Sequence, residues 1–581
     1  MRPLPPPFDD IAAGRPARIG LRASALLGAR LLNKDLAFSR EERDAFGLTG
    51  LLPDRVLTIE EQVVLELEHL RRKTDPLEQY IGLAALQDRN ATLYYRLLSE
   101  HAEEFLPTVY TPTVGRACQE FSHIIRRTRG LWITPADVDR IPELLRNSPY
   151  EDVRLIVVTD NERILGLGDQ GAGGMAIPIG KLALYTAASG LHPALTLPVS
   201  LDVGTDNPRL LDDPLYLGHR APRLRGAAYD ALVEAFVAGV TETWPACVIQ
   251  WEDFKQHNAL RILDRYRERV CSFNDDIEGT AATVLGGLLA AMRVTGGRLA
   301  DQRIVIAGAG AAGIGIARLI RMAMREDGAT ADQLAAAIAM VDTHGLVHAG
   351  RADLDDDKQE VARPVARLAA DGFADLSTTP SLHATVRALR PTILLGVTAT
   401  AGTFDEALIA DVAAGTERPI IMPLSNPTAA AEAVPADVLR WSGGRAIVAT
   451  GSPFPAVEHE GRRVEVGQAN NVFVFPGLGL GAIVAEASAM PDELFLAAAR
   501  TLADCVSDER LASGAIYPPV SELRRASRAI ATAVAGTAVK LGIAGLAPSI
   551  RGDVAGAVDR AMWWPDYVEY VPGPEVASHH A

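Results

Sequence analysis

Two pairs of adjacent carboxylates and a glycine-rich loop follow one another in the middle of this chain. The pairs are Glu252-Asp253, in QWEDF, and Asp275-Asp276, in FNDDIEGT, and the loop is GAGAAG at 308–313. Carboxylate oxygens are the ligands that a hard divalent cation prefers, and such a loop suits the pyrophosphate of a dinucleotide. A metal ion beside a nicotinamide would suit the oxidation of a hydroxy acid.

The glycine loop lies between a β-rich run, RIVIAG, and a predicted helix. In that context Gly308 permits a tight turn, Gly310 lets the backbone approach the pyrophosphate, and Gly313 allows the helix to pack closely on the strand. The helix N-terminus would then face the phosphates. The alternative is an ordinary glycine-rich turn in an α/β sheet.

The acid expected to bind the ribose is Asp342, at the end of the next predicted strand, AIAMV. It lies farther from Gly313 than the usual ~20 residues, and an added helical turn around TADQLAAA accounts for the difference. An aspartate there repels the 2′-phosphate of NADP, so NAD is the favoured cofactor. Arg351 and Lys358 lie nearby in the sequence and could fold back, which leaves NADP open.

The two acid pairs are predicted to form a metal site. Glu252 and Asp253 follow the predicted strand ACVIQ at its carboxyl end, where open α/β sheets bind ligands. Oxygen ligands suit Mg²⁺ or Mn²⁺, and the lack of a neighbouring His/Cys cluster argues against zinc. The alternative is that Asp275 or Asp276 only caps the helix IEGTAATVLGG. The second acid pair and the dinucleotide loop favour the metal site.

The elements that must position these residues are visible in the hydrophobic pattern. Residues 1 to about 128 are Leu-rich at helical spacing, with helices predicted over 59–72 and 77–101 and a break at Asp75-Pro76. From Val153, short β-branched runs alternate with helical segments, and a second such series begins near Arg303. This alternation is typical of parallel sheets covered by helices. The chain is predicted to be helical again after Asn471.

Composition limits the class of protein. The chain has 581 residues, 48% hydrophobic and 22% charged, with a formal net charge of −16, so a nucleic-acid role lacks its usual electrostatic basis. The four cysteines show no CxxC spacing and indicate a reducing compartment. The N-terminus has no apolar signal-peptide core, and runs such as AATVLGGLLAAM are too short to span a bilayer. A cytoplasmic protein with no membrane partner is therefore expected.

The longest motifs together resemble the malic enzyme family, the oxidative decarboxylases of L-malate, along nearly the whole chain. The segments that carry the resemblance stand in the family's order: FLPTVYTPTVG (105–115), VVTDNERILGLGDQGAGGMAIPIGKLALYTA (157–187), SLDVGTDN (200–207), QWEDF (250–254), FNDDIEGTAA (273–282), LSNPT (424–428), ATGSPF (449–454) and QANNVFVFPG (468–477).

This resemblance implies roles for single residues. The catalytic residues that it implies are Tyr110 as the acid, Lys181 as the base and Asp275 close to that base. The implied metal ligands are Glu252, Asp253 and Asp276. The implied substrate residues are Arg163, Asn426 and Asn471, of which Asn426 also borders the nicotinamide. In isolation, each of these residues also has an ordinary structural explanation, such as a buried tyrosine, a helix terminus or a turn asparagine.

The resemblance also implies an α/β architecture of several domains. The expected parts are a helical N-terminal or assembly domain (1–128), a parallel-sheet substrate and catalytic domain (129–274 with 471–540), a Rossmann-type, doubly wound NAD-binding domain (275–470) and a C-terminal segment (541–581). L-malate and pyruvate are the implied small-molecule partners, and a homodimer or homotetramer is the implied assembly.

One position departs from the pattern of family members that fumarate activates. Their activator site uses two arginines, of which Arg89 matches one, whereas the other position is Leu65 here. We therefore expect weak or no activation by fumarate.

Three functions remain open at this stage. The first is an NAD-dependent malic enzyme that yields pyruvate, CO₂ and NADH, with NADP use as a variant of it. The second is a malolactic-type lyase that keeps its NAD bound and releases lactate. The third is a catalytically inactive nucleotide-binding regulator, which the joint presence of Tyr110, Lys181 and the acid pairs disfavours.

Overall fold

The computed structural model describes residues 2–164, 166–373 and 379–574. Two sheets of parallel strands, each packed against helices, form its centre. This confirms the predicted α/β fold. The end of the predicted C-terminal segment lies outside the described residues.

The N-terminal region is mostly helical, as predicted, but the helix expected over 77–101 is two helices. Asn90 divides them, because its side chain accepts a hydrogen bond from the Leu93 amide and so caps the second helix. The elements here are α1 (Phe8–Ala12), β1 (Ala17–Ile19), α2 (Ala23–Gly28), α3 (Arg40–Ala45), α4 (Ile59–Arg71), α5 (Pro76–Arg89), α6 (Ala91–Glu100), α7 (Ala102–Val109), α8 (Thr113–Gln119) and α9 (Phe121–Ile124).

The next region alternates strands and helices. Its elements are β2 (Leu131–Ile133), α10 (Ile141–Arg146), β3 (Leu155–Thr159), α11 (Ala176–Leu184), β4 (Thr196–Leu201), α12 (Pro208–Asp212), α13 (Gly226–Thr243), β5 (Val248–Trp251), α14 (Gln256–Tyr266) and β6 (Ser272–Asn274). The five strands form one parallel sheet in the order β2-β4-β3-β5-β6. Strands β3, β4 and β5 are buried along their whole length, as expected for a parallel sheet with both faces covered.

A second, larger sheet follows. Its elements are α15 (Thr280–Thr295), β7 (Ile304–Ala307), α16 (Ala311–Glu326), α17 (Ala331–Ala337), β8 (Ile338–Asp342), β9 (Gly345–Leu346), α18 (Asp356–Val361), α19 (Val365–Leu368), α20 (Leu382–Leu389), β10 (Ile393–Gly396), α21 (Glu406–Gly415), β11 (Ile420–Pro423), α22 (Pro435–Trp441), β12 (Ile447–Thr450), β13 (Val457–His459), β14 (Arg462–Val464) and β15 (Gly467–Gln468). The strand order β15-β12-β11-β10-β7-β8-β9 is doubly wound, and only β9 runs antiparallel to its neighbour. Helix α17 is the added helical turn expected before Asp342.

The remaining helices follow, and the first of them contacts β5 of the first sheet. They are α23 (Phe475–Ala485), α24 (Asp492–Asp504), α25 (Asp508–Ala512), α26 (Leu523–Leu541), α27 (Pro548–Arg551) and α28 (Val554–Ala561), followed by β16 (Tyr570–Pro572), which pairs with β1. Among the described residues, one helical stretch, Asp275–Thr295, is long and apolar enough to cross a bilayer, but 78% of its apolar window is buried inside the protein. It is a core helix.

The two acid pairs and the glycine loop share one position in this fold, because they follow the carboxyl ends of strands. The first acid pair follows β5 and the second follows β6, while the glycine loop follows β7. Ligands of open α/β sheets bind beyond these ends.

Candidate active site

Glu252 points into the site because the side chains along β5 alternate between the two faces of the sheet. Side chains of a strand point to opposite faces in turn, so Gln250 and Glu252 share a face while Trp251 points into the other core. Trp251 is fully buried there, stacked on Tyr266 at 6.0 Å between ring centroids. Glu252 is 1% exposed. Its Oε2 accepts a hydrogen bond from Nε2 of Gln250 at 2.9 Å.

Lys181, the predicted base, comes from α11 and reaches the same carboxylate. Its Nζ lies 2.9 Å from Oε1 of Glu252 and also contacts the carboxylate of Asp275. The Phe475 ring lies 4.3 Å from Nζ. Burial alone would lower the pKa of Lys181, but the charges of Asp275 and Glu252 raise it well above its usual value. Lys181 is therefore an ammonium group in this arrangement.

Tyr110, the predicted acid, follows α7 and meets Lys181 through a close helix contact. A Cβ on Gly180 would lie 2.7 Å from the carbonyl oxygen of Val109, so only glycine lets α11 approach the end of α7 this closely. The Tyr110 hydroxyl donates to Oε1 of Glu252 at 3.3 Å. Burial raises the pKa of Tyr110 well above its usual value, although Lys181 opposes this, so the hydroxyl keeps its proton.

Asp275 lies in a single π-helical turn, Asp275–Gly279, that precedes α15. The residue that caps this turn is Asn274, whose side chain accepts from the Ile277 amide. The alternative that the Asp275-Asp276 pair serves only as a cap is therefore wrong. Asn471 donates to Asp275 Oδ2 at 3.1 Å and to the Thr280 hydroxyl at 3.0 Å, which places this predicted substrate residue beside the base.

Asp253 and Asp276, the other predicted metal ligands, lie next to one another. The amide of Asp253 donates to Oδ2 of Asp276 at 2.8 Å. Asp253 has a left-handed backbone (φ 56°), a conformation that is uncommon outside glycine and concentrated at functional sites. Its Oδ2 is buried and has no hydrogen-bond partner within the described part of the chain.

The charge balance of this cluster fits a divalent cation. Burial and the charge of Asp276 raise the pKa of Glu252 to about 8 despite Lys181, and burial with Asp276 and Glu252 raises the pKa of Asp253 well above its usual value. Burial also raises the pKa of Asp276. Crowded carboxylates with one unpaired buried oxygen are the donor set that Mg²⁺ or Mn²⁺ prefers.

The side chains of Glu252, Asp253 and Asp276 do not converge on one point in this structure. Across the described residues, no group of three or more His, Cys, Asp or Glu side chains has a geometry that could hold a metal ion. Contacts within the protein explain this, because they already engage these oxygens. Oε1 of Glu252 lies against Lys181 and Oε2 accepts from Gln250, while Asp276 accepts from the Asp253 amide. The assignment of Glu252, Asp253 and Asp276 as ligands therefore stays a prediction.

Arg163 and Asn426 lie at the opening of the site, and both are exposed. The amide of Arg163 donates to the Asp253 carbonyl at 3.1 Å, which ties Arg163 to the acid pair. Arg163 lines a cleft of about 1050 Å³ together with Lys255 and Gln256. A Cβ on Gly166 would lie 3.5 Å from the carbonyl oxygen of Asn426, so loops from the two sheets meet here.

The dinucleotide loop has the geometry that its glycines predict. Gly308 has φ 112°, and a Cβ there would lie 2.6 Å from the Val397 carbonyl oxygen. A Cβ on Gly313 would lie 2.3 Å from the Gly308 carbonyl oxygen, so α16 packs directly on the turn. Gly310 caps α16, and Gln256 of the cleft lies beside it. The α16 N-terminus is thus open to an anion next to the cleft.

Asp342 lies at the end of β8, as predicted, but two cations fold back onto it. Arg351 donates to both its oxygens at 2.9 and 3.0 Å, and Lys358 lies 3.1 Å from Oδ2. Burial alone would raise the pKa of Asp342, but these bonds lower it. Asp342 is therefore a carboxylate, and its charge neutralises the cations that could bind a 2′-phosphate.

Comparison with known proteins identifies the family. The family model described as the malic enzyme N-terminal domain matches residues 87–267, and that of the malic enzyme NAD-binding domain matches 277–539. A protein of Sodalis glossinidius (strain morsitans), named NAD-dependent malic enzyme, is 48% identical over 556 residues, which cover 96% of this chain and 98% of that protein. The chain belongs to the malic enzyme family. A protein of the same name from Vibrio campbellii is 46% identical over 562 residues, again 96% and 98% of the two chains.

Solved structures of malic enzymes share the fold. The structure of Entamoeba histolytica malic enzyme aligns with a TM-score of 0.56 at 23% identity, over 89% of this chain and 91% of its own. That of the malic enzyme from Pyrococcus horikoshii aligns with a TM-score of 0.54 at 22% identity, over 79% and 89%. At these identities the likeness supports the arrangement of strands and helices alone.

Two further residues of this malic enzyme site were not singled out in the sequence. Gln250 lies two positions before Glu252 on β5, and Tyr185 lies four positions after Lys181 on the same helical face. Both are fully buried, and Tyr185 donates to Oε1 of Gln250. Strand and helix spacing relative to the predicted ligand and base is the signal that identifies them.

Proposed function

We propose that this chain is an NAD-dependent malic enzyme. It oxidises L-malate at C2 with NAD, releases C4 as CO₂ and forms pyruvate, and we expect it to decarboxylate oxaloacetate as well. The observation that carries the proposal is the buried contact of Lys181 with Glu252 and Asp275, beside the Tyr110 hydroxyl. This group of side chains supplies a base, an acid and metal-binding oxygens in one site.

Lys181 is assigned as the group that accepts the proton of the C2 hydroxyl while the hydride leaves C2 for the nicotinamide. A lysine acts as a base only if its pKa falls towards the working pH. The carboxylates of Glu252 and Asp275 oppose that fall. Asp275, itself held by Asn471, is assigned to orient Lys181 and to pass the proton on.

Tyr110 is assigned as the acid that ends the reaction. When the bond between C3 and C4 breaks, its electron pair remains on C3 in the enol form of pyruvate. The Tyr110 hydroxyl, which burial keeps protonated, would then deliver a proton to C3. Arg163 and Asn471 are assigned to the substrate carboxylates, since a guanidinium binds a carboxylate in a bidentate manner.

The predicted ligands of the divalent cation are Glu252, Asp253 and Asp276. A cation held there would polarise the C2 oxygen and would lower the pKa of Lys181 by adding positive charge beside it. The buried, unpaired Oδ2 of Asp253 supports this assignment. To take part, Oε1 of Glu252 must exchange its contact with Lys181 for the cation.

A steady-state assay tests the reaction. Purified protein with L-malate, Mn²⁺ and NAD should accumulate NADH, pyruvate and CO₂, and an excess of EDTA should abolish turnover. NADP should be a poorer cofactor. Lactate formed without net NADH would instead assign the protein as a malolactic-type lyase, and no turnover of malate by the metal-loaded protein would contradict both.

The assembly and the division into domains are further proposals. Val64 and Leu65 of α4 are exposed apolar side chains, 65% and 37% accessible, in the helical region proposed as the assembly surface. Size-exclusion chromatography with light scattering should therefore give the molar mass of a homodimer or homotetramer. Limited proteolysis should cleave near 128 and 540, where the chain is exposed, if domain boundaries lie there. Fractionation of cells should place the protein in the cytoplasm.

The prediction on fumarate remains open as well. Arg89 forms ion pairs with Asp35 at 3.0 Å and with Glu66 at 2.6 Å, so its charge is already balanced. This supports weak or no activation, which an assay with added fumarate measures.

A further inference from the structure

A chain of two buried hydrogen bonds leads from Tyr185 through Gln250 to Glu252. The Tyr185 hydroxyl donates to Oε1 of Gln250, and Nε2 of Gln250 donates to Oε2 of Glu252 at 2.9 Å. Tyr185 and Gln250 are both 0% exposed. Within the described residues, no other donor is bonded to this carboxylate oxygen.

The direction of these bonds is fixed by their chemistry. The ionised form of Glu252, which is the form that binds a cation, can only accept hydrogen bonds, so the Gln250 amide must present its NH₂ group to it and its oxygen to Tyr185. Tyr185 must then donate its proton to that oxygen. If the Gln250 amide turned over, its oxygen would face the Glu252 carboxylate. The carboxylate therefore determines which way the amide points, the Tyr185 hydroxyl holds the amide oxygen, and the amide in turn holds Oε2 of Glu252.

The backbone holds both members of this chain in place. Gln250 is in β5, paired with Val157 of β3 and Phe273 of β6, so its position is set by the sheet. A Cβ on Gly479 would lie 2.7 Å from the Tyr185 ring, and the Phe475 ring lies 5.0 Å from it between centroids. Helix α23 therefore packs closely over the Tyr185 ring.

We propose that Tyr185 and Gln250 are positioning residues that orient Glu252 towards the divalent cation, leaving Oε1 as the oxygen that exchanges Lys181 for the metal. This rests on the proposed function, in which Glu252 is a metal ligand. Groups that hold a metal ligand in place are worth about 10- to 100-fold in metal affinity. Both side chains are fully buried, so we expect the effect to appear in metal binding.

The test is the dissociation constant of Mn²⁺ for the purified protein, measured by isothermal titration calorimetry without malate or NAD. Tyr185→Phe removes one oxygen atom and keeps the ring packed on Phe475. We expect it to weaken Mn²⁺ binding about 10-fold or more. Gln250→Met removes the amide that links Tyr185 to Glu252 and keeps a similar side-chain volume. It should weaken Mn²⁺ binding at least as much.

Tyr95→Phe is the matched control, because Tyr95 forms a buried pair with another glutamine. Nε2 of Gln87 donates to the Tyr95 hydroxyl at 3.0 Å, and both residues are less than 5% exposed. This substitution should lower the melting temperature of the metal-free protein about as much as Tyr185→Phe does, while Mn²⁺ affinity stays within about twofold. An equal loss of Mn²⁺ affinity in the control would assign the effect to general stability and overturn the proposal.

Glu252→Gln separates this inference from the function on which it rests. If Glu252→Gln leaves Mn²⁺ affinity unchanged, the ligand assignment itself is wrong. If Glu252→Gln weakens binding strongly while Tyr185→Phe and Gln250→Met stay within about twofold of the parent protein, the ligand assignment stands and the positioning role is refuted.

Discussion

Nζ of Lys181 lies 2.9 Å from Oε1 of Glu252, with both side chains 2% exposed. The proposed base and a proposed metal ligand therefore form an ion pair in the interior of the protein. While the carboxylate pairs with Lys181, the ammonium form is stabilised and the base is unavailable. Metal binding and base activation are thus coupled through one oxygen atom.

Replacement of the base should abolish most of the turnover. Lys181→Met keeps the length and the apolar stem of the side chain but cannot accept a proton. We expect kcat for malate oxidation to fall by about 10²- to 10⁴-fold, the range of a general base. Initial rates with saturating malate, NAD and Mn²⁺ measure this.

The control for this prediction is Lys255→Met. Lys255 is an exposed lysine of the same cleft, 3.4 Å from Glu162, and is not part of the buried cluster. Its kcat should stay within a few-fold of the parent value. A Lys181→Met protein that turned over malate within tenfold of the parent would show that the base is another group.

A single methyl group near Asp275 should have a similar effect on activity. A Cβ on Gly279 would lie 1.9 Å from Oδ1 of Asp275, so Gly279→Ala must displace the carboxylate that contacts Lys181. We expect kcat to fall by about 10²-fold or more, since misplacement of catalytic groups by about 1 Å has that cost. Steady-state kinetics with malate provide the measurement.

Gly536→Ala is the corresponding control. Gly536 lies in the middle of α26, and a Cβ there has no atom within 4 Å. Alanine is the better helix former by about 0.5–1 kcal/mol. The variant should therefore be fully active and slightly more stable to heat. Equal kinetics for the two variants would show that the position of Asp275 does not matter.

Cofactor preference should depend on Asp342. Asp342→Ala removes the charge that repels a 2′-phosphate and frees Arg351 and Lys358, which bind it in the structure. We expect the ratio of kcat/KM for NAD to that for NADP to fall about tenfold, which corresponds to about 1.4 kcal/mol. Parallel assays with both nucleotides measure the ratio.

Asp353→Ala is a control on the same arginine. Asp353 lies 2.7 Å from Arg351 but belongs to the loop after β9 and is half-exposed. It should change the ratio by less than about threefold, because Asp342 still neutralises Arg351. A shift as large as that of Asp342→Ala would mean that the net charge of the loop, and not Asp342, determines the preference.

The sequence predicted where the functional residues lie in the chain better than how they meet. The β-rich runs and the glycine loop placed Glu252-Asp253 and the cofactor loop at strand ends, because these patterns are local. Pairing between distant segments carries no local signal. Lys181 in isolation reads as a helix terminus, and only the fold brings it to Glu252 and Asp275.

Side-chain hydrogen bonds account for the differences from the predicted elements. Asn90 lies inside a stretch whose apolar residues recur at helical spacing, which predicts one continuous helix. Its side chain accepts a hydrogen bond from the Leu93 amide and so begins a second helix there. The acidic segment 352–372 contains two short helices, α18 and α19. Asp355 caps α18 by accepting from the Lys358 amide, which also brings Lys358 close to Asp342.

His192 predicts an acid dependence of stability that is independent of catalysis. Its ring is 4% exposed and lies 4.7 Å from the Trp563 ring, and burial lowers its pKa to about 3. Because the folded protein holds the neutral ring, unfolding binds a proton below about pH 6.5, and stability falls as the pH drops from there towards 3. Between pH 7 and 5 the loss is about 2 kcal/mol.

His192→Asn isolates this contribution, because the asparagine oxygen can still accept the Ala194 amide hydrogen that Nδ1 of His192 accepts at 3.2 Å. The variant should be less stable at pH 7, since it loses the ring contacts with Phe8 and Trp563. Its urea midpoint, followed by tryptophan fluorescence, should nevertheless fall less between pH 7 and 5 than that of the parent. If both proteins lose the same amount over this interval, the proton taken up on acid unfolding belongs to another group, and the buried ring of His192 does not set the acid limit of the fold.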